Sequence, residues 1–291
     1  KQTIRIQQHI CQSYFLFGTA TANSNLTKLT ITVSPNQYPT KKLKKMKNTI
    51  PLLTVLGAAS MITSPLSAGE LSGSLSFDYN SHFISYGFDV WGGGKNPSGE
   101  STFNPSASID YKINDQWTLS SGFWLDVNDN TGDFETVETD IWFGASYTTG
   151  ITTISGTFQN WQYGGVSEEV FDLGVSFDTF LSPSVMLHHR LDEGASGGFD
   201  GTFLVVGAEH TFELSDSFSI TVPVAVGFAL SEFHTTETGY GYASIGLQGS
   251  YALNDSTSLN VGATYYDTDD SVVGNVDDSF ITYNAGISIS F

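Results

Sequence analysis

The densest gathering of reactive side chains is His188-His-Arg-Leu-Asp-Glu-Gly-Ala-Ser-Gly-Gly-Phe-Asp200, which holds two imidazoles, one guanidinium and three carboxylates. An imidazole beside a carboxylate can move protons near neutral pH, so hydrolysis by a Ser, a His and a polar orienter is one chemistry to weigh. No Ser stands at a recognisable spacing from any of these His residues, and His82, His210 and His234 are scattered singly. A structural ion pair is the simpler reading. If this stretch is a strand, His188 and Arg190 share one face and His189 takes the other. Arg190 can then pair with Asp172 or Asp178 on a neighbouring strand.

Two other groups are purely acidic. One is Asp126, Asp129, Asp133, Glu135, Glu138 and Asp140, and the other is Asp267, Asp269, Asp270, Asp277 and Asp278. Carboxylate oxygens suit hard cations such as Ca²⁺ or Mg²⁺, and Asp267, Asp269 and Asp270 form the tightest set. Their spacing matches no calcium-loop motif, so the expectation is a solvated acidic surface in predicted loops, with no metal and no cofactor. Such a surface concentrates cations and repels anions. There is no phosphate-binding loop and no basic patch for nucleic acid.

Charge divides the 291-residue chain, whose net charge is −19, into two unlike parts. Residues 1–68 contain no Asp or Glu and hold 8 of the 11 basic residues, leaving Lys95, Lys112 and Arg190 against 30 acids in the rest. Met46 to Ala68 has a basic start, an apolar centre and the small-residue ending Leu66-Ser67-Ala68. That is the pattern of a secretory signal, with cleavage expected after Ala68. Its apolar run, from Ile50 to Ile62, is shorter than the roughly 20 residues a helical membrane span needs. Residues 1–45 precede this signal and are set outside the fold as an upstream or disordered extension, with translation expected to begin at Met46. Cys11, the one cysteine, lies there, so residues 69–291 can form no disulfide.

The elements that must position the acids and His residues are strands. Leu71/Gly73/Leu75/Phe77/Tyr79 alternate with Ser72, Ser74, Ser76 and Asp78, a run expected to continue or pair through 84–90. The same period of two recurs in Trp117–Leu125, Ile141–Tyr147, Phe171–Phe177, Phe218–Phe228, Ile245–Tyr251, Leu259–Tyr265 and Phe280–Phe291. With weaker segments near 103–112, 151–160, 184–191 and 202–212 the total is about twelve. Pro223 interrupts one pattern and calls for a bulge or a rim position. Short Asn-Asp or Ser-Asp reversals at 114–115, 215–216 and 254–255 alternate with long polar connections near 91–101, 127–138, 161–168, 192–200, 231–239 and 267–278. This sorting predicts an all-β fold, a transmembrane antiparallel up-and-down barrel with both ends on the side of the short turns. Trp117, Tyr111, Tyr147, Tyr251, Tyr265 and Tyr283 fall toward strand ends, where interfacial aromatics belong.

The final strand, with Tyr283, Ala285, Ile287, Ile289 and Phe291 on one face, resembles the C-terminal assembly signal of bacterial outer-membrane barrels. That resemblance implies the barrel-assembly machinery as a partner. Asp78-Tyr-Asn-Ser-His-Phe-Ile-Ser-Tyr-Gly-Phe-Asp-Val90 resembles the opening of the TorF-like porins, with Ser85-Tyr86-Gly87 where that opening has an Arg-Gly pair. It implies a small barrel in the outer membrane, in contact with its lipid and lipopolysaccharide, and assigns no functional residue.

The function these readings imply is passive diffusion of small solutes, cationic or neutral, with Asp126, Asp129, Asp133, Glu135, Glu138, Asp172, Asp178 and Arg190 setting the field in the pore. A sealed structural or adhesive barrel is the alternative, and a membrane-embedded lipid hydrolase stands third. Inward Gly, Ser and Ala would keep a lumen open, whereas inward Trp124, Trp142, Phe212 and Tyr266 would narrow it.

Overall fold

The computed structural model describes residues 69–95, 100–192, 194 and 196–291. The signal-like segment 46–68 and residues 1–45, with Cys11, lie outside them.

Each alternating run forms a strand, because a period of two puts one set of side chains inside a curved sheet and the other outside. The barrel strands are β1 (Glu70–Asn80), β4 (Thr102–Lys112), β5 (Trp117–Asn128), β6 (Glu135–Thr149), β7 (Thr152–Gln162) and β8 (Ser167–Phe177). They continue with β9 (Ser184–Arg190), β10 (Gly201–Ser215), β11 (Phe218–Ala229), β12 (Gly239–Asn254), β13 (Thr257–Thr268) and β14 (Ser279–Ser290). Every strand pairs antiparallel with its chain neighbours, and β14 pairs with β1, so twelve strands close the cylinder. Closure leaves no sheet edge, so the ladders satisfy the backbone from within.

The outward face is apolar: Phe77, Ile109, Phe143, Phe158, Leu173, Ile245, Leu247, Leu259 and Val261 are all exposed. Trp117 and Tyr147 meet at 5.0 Å between ring centroids beside the short turns. Those turns close as their sequences suggest. Asn114 Oδ1 accepts from the N–H groups of Gln116 and Trp117, both at 2.9 Å, and Asn254 Oδ1 accepts from Ser256 N–H at 2.9 Å. The two ends of the barrel meet on that side, where Gly73 and Phe291 exchange backbone hydrogen bonds of 2.9 and 3.0 Å.

Four expectations need correction. Residues 84–90 do not extend the first strand; Ile84–Ser85 (β2) and Phe88–Asp89 (β3) form their own hairpin within the connection 81–101. Asp126, Glu135, Glu138, Asp140 and Asp267 are strand residues and not loop residues, since β5, β6 and β13 run further than the acids suggested. Phe212 faces outward, opposite Ile220, and is exposed. Pro223 sits mid-strand without a register shift. The β11–β12 ladder passes from Thr221↔Gln248 directly to Val224↔Ile245, and the missing N–H falls in that gap.

Candidate functional site

The inward side chains change character along the barrel. Toward the short turns they are small: Ser74, Ser76, Ser106, Ser108, Ser120 and Gly144 face the axis by register. Ser74 and Ser108 hydroxyls meet at 2.8 Å. Toward the long connections the same faces carry Trp124, Trp142, Trp161, Tyr242 and Tyr266, with the acids Asp126, Glu138, Asp140, Glu168 and Asp172.

The β2–β3 hairpin folds into this wider-chained half. Its two turn residues both have positive φ, Tyr86 at 48° and Gly87 at 88°. This is the geometry of the tight hairpin turn whose twist matches its strands. A non-glycine residue there costs roughly 1–2 kcal/mol. Packing holds Tyr86 in place: its ring centroid lies 4.4 Å from that of His188, 5.2 Å from Phe233 and 5.8 Å from Phe203. Asn275 clamps the base, accepting from Asp89 N–H at 2.8 Å and donating to the Gly87 carbonyl at 2.9 Å. Trp91, just beyond the hairpin, donates to Asp126 at 2.9 Å. Asp126 also accepts from Thr102 and Asn128, so it is a buried anchor and not a mouth charge.

His188 and Arg190 do share the inner face, but Arg190 pairs with neither Asp172 nor Asp178. His188 Nδ1 lies 2.8 Å from Asp172. Arg190 pairs with Glu168 at 3.3 Å, and both side chains are at most 2% exposed. That contact is close without being aligned as a hydrogen bond, since neither Arg190 Nε nor Glu168 Oε2 gains a partner by geometry. The alignment goes elsewhere. Arg190 donates to the carbonyls of Phe233 at 2.8 Å and Phe199 at 3.3 Å, and its guanidinium lies 4.4 Å from the Phe233 ring centre. Glu168 accepts from Ser196 N–H and Oγ, both at 2.6 Å. The pair therefore ties the connections 191–200 and 230–238 to the wall. Asp178 is exposed in a short turn, and His189 faces outward, 3.0 Å from Thr202 Oγ1.

In the connections, burial acts on the titrating groups. It pushes the Tyr86 phenol well above its usual value, an effect the Asp172 charge reinforces. Burial also raises Asp89, with the Gly94 N–H opposing it. His234 is lowered to about 3 by burial and then by the Arg190 charge.

The other sequence candidates stay near the surface. Asp129, Asp133 and Glu135 are exposed, with Glu135 accepting from Thr131 at 3.0 Å. Asp269 caps the short helix α1 (Asp270–Val273), accepting from Ser271 N–H at 3.0 Å, while Asp267 accepts from the Tyr240 hydroxyl at 2.7 Å. Among the described residues no three His, Cys, Asp or Glu side chains group as a metal site requires. Tyr283, Ile287 and Ile289 line one outward row ending at Phe291, which is 68% exposed.

Between the hairpin and the small-residue half lies a cavity of about 670 Å³, walled by Trp124, Trp142, Trp161, Glu138, Asp140, Gln159, Gln248, Tyr266 and Asn284 and capped by Phe83 and Tyr86. Glu168, Asn275, Phe233 and Tyr86, which organise this end, were not singled out by sequence reasoning. The one local signal was Tyr86-Gly87 between two short β-prone pairs.

No family model and no curated protein matches the chain. Among solved structures, it is similar to the NanC porin, at 11% identity and a TM-score of 0.45, over 75% of this chain and 98% of that one. It is similar to the KdgM porin at 13% identity and a TM-score of 0.43, over 75% and 99% of the respective chains. It is also similar to the outer membrane channel DcaP of Acinetobacter baumannii, at 8% identity and a TM-score of 0.41, over 77% and 97%.

Proposed function

We propose that the chain is an outer-membrane channel through which small cations and neutral polar solutes diffuse, narrowed by the β2–β3 hairpin. The observation that carries this reading is the lining. A closed barrel with an apolar exterior encloses a polar interior that widens to small side chains at one end and holds a 670 Å³ chamber at its waist. Glu138 and Asp140 line the chamber and, among the described residues, no Lys or Arg does, so the waist favours cations. Export through the segment 46–68, cleavage after Ala68 and insertion through the row ending at Phe291 belong to the same proposal, as do lipopolysaccharide and outer-membrane lipid as its surroundings.

The test is a planar bilayer holding the purified protein under a salt gradient. Discrete steps with a cation-selective reversal potential are expected, and replacing Ile84–Asp89 by a short Gly-Ser link should raise the conductance severalfold. Silence from protein shown to be folded would discard the channel.

A second reading, a sealed surface barrel, draws on the buried cluster of Phe203, Phe233, Tyr242 and Val272, which fills part of the outer half. The lipid-hydrolase reading draws on Ser81 Oγ, 2.7 Å from His82 Nδ1. Both residues are buried, and His82 Nε2 sits 3.1 Å from the Lys95 carbonyl.

A further inference from the structure

The chamber below the hairpin has a chemistry more specific than a constriction requires. Three neighbouring strands, β5, β6 and β7, each contribute one indole to it: Trp124, Trp142 and Trp161. Tyr266 lines it as well and Tyr86 caps it. Trp142 lies against Gly122, where any Cβ would collide with the indole, so the ring rests against the wall and its other side is left to the lumen. A water-filled passage for ions would be served by small polar residues, as at the other end of this barrel. An indole leaning on glycine, with two more beside it, forms an apolar platform inside a polar tube.

Around the platform run neutral amides and two carboxylates. Gln248 lies over Gly262 and donates to Thr264 at 3.3 Å. Gln159 accepts from the Trp161 indole N–H at 3.1 Å. Other groups remain unused: among the described residues the Asn284 amide and the indole N–H groups of Trp124 and Trp142 make no hydrogen bond. Half-buried polar groups facing a chamber ordinarily find partners, so these are available to a ligand or to water. A bare cation has no use for the rings, and an apolar solute would strand the amides. An anionic solute would meet Glu138 and Asp140 with no cation beside them. A molecule with C–H faces for the rings and hydroxyls for the amides and carboxylates satisfies both sets, and the volume falls within the roughly 300–1,000 Å³ of ordinary ligand pockets.

We propose that this chamber is a binding subsite for neutral sugars of one or two pyranose rings, with Trp142 as platform and Asn284, Gln248 and Asp140 as hydroxyl partners. The proposal rests on a lumen that solutes can enter, which the channel reading supplies.

The test pairs an equilibrium signal with a transport signal on the same purified protein, using maltose as the neutral probe and digalacturonate as the acidic one. Maltose should change tryptophan fluorescence saturably and interrupt the open-channel current, and digalacturonate should do neither at the same concentration. Trp142→Ala should weaken the maltose response about tenfold, in line with the worth of one aromatic contact. Asn284→Ala, which leaves the rings in place, should weaken it severalfold, and Trp117→Ala, on the outer girdle, should leave it unchanged. Steps in salt without any saturable maltose response would overturn the subsite and keep the channel. A saturable response without conductance would keep the subsite and overturn the channel. Equal responses to both probes would overturn the preference for neutral sugars, and a response untouched by both Trp142→Ala and Asn284→Ala in heat-modifiable, folded protein would overturn the location.

Discussion

The two halves of the lumen are built from the same twelve strands on the same alternating pattern, yet only one of them behaves like a protein interior. Near the short turns, inward Ser and Gly residues make few demands on one another beyond contacts such as Ser74 to Ser108. Near the long connections, inward Arg190, Glu168, Phe203 and Tyr242 pack with the hairpin and three connections into a core with charges inside it. The difference shows that barrel closure and pore shape are separable. The ladders and the apolar exterior close the cylinder, whereas the size and charge of every second residue decide whether its inside is wet or filled.

The sharpest break of that comparison is at Arg190. Arg190→Ala leaves Glu168 buried without its cation and frees the Phe233 and Phe199 carbonyls, a loss of about 3–5 kcal/mol for a buried pair. Thermal or denaturant unfolding in detergent should show it, together with new protease cuts in 191–200 and 230–238 while the short turns stay resistant. Cuts spread evenly over both ends would mean that the halves are not separable.

Over the first pH unit below 6.5 a smaller effect should appear. His234 is neutral when docked and titrates at about 3, whereas an undocked connection would titrate near 6.5. Its contribution to docking is therefore complete above pH 6.5 and falls as pH drops toward 3, by at most about 1.4 kcal/mol per unit. Asp89 has the opposite sign. Its raised folded value favours docking below the ordinary carboxylate range and loses that favour as pH rises through the raised value, so the two slopes offset at the acid end. Neutral Tyr86 and cationic Arg190 face His234 throughout. The protection of the hairpin amides, measured as exchange relative to the intrinsic rate at each pH, should fall below pH 6.5 in the native chain and lose that dependence in His234→Phe.

The smallest effect belongs to the other half. Ser108→Ala removes one hydroxyl contact and should cost about 1 kcal/mol or less, with unchanged conductance. A large change there would assign the small residues a packing role.

The contrast also marks what could be read from the sequence. The strands were legible because alternation is local: each residue's face is set by its neighbour, as in Phe280–Phe291. The turns were legible because Asn114 and Asn254 bond their own backbone two residues on. The half near the long connections was not, since Asn275 clamps Gly87 across 188 positions and Arg190 reaches Phe233 across 43. Acids at strand ends look like loop acids, which is how Asp126 and Glu138 were misplaced. Phe212 lies outward because the β10–β11 register is unbroken from Phe203 to Glu213, which puts Phe203 inside and Phe212 on the opposite face.

The glycines under the inner rings carry one last implication. Gly122 beneath Trp142 and Gly227 beside Tyr242 are positions where the wall has given up a side chain so that a larger one can lie back against it. The calibre of the barrel interior is thus recorded in atoms that are absent, and a single methyl added at Gly122 would be felt inside it as an indole swung toward the axis.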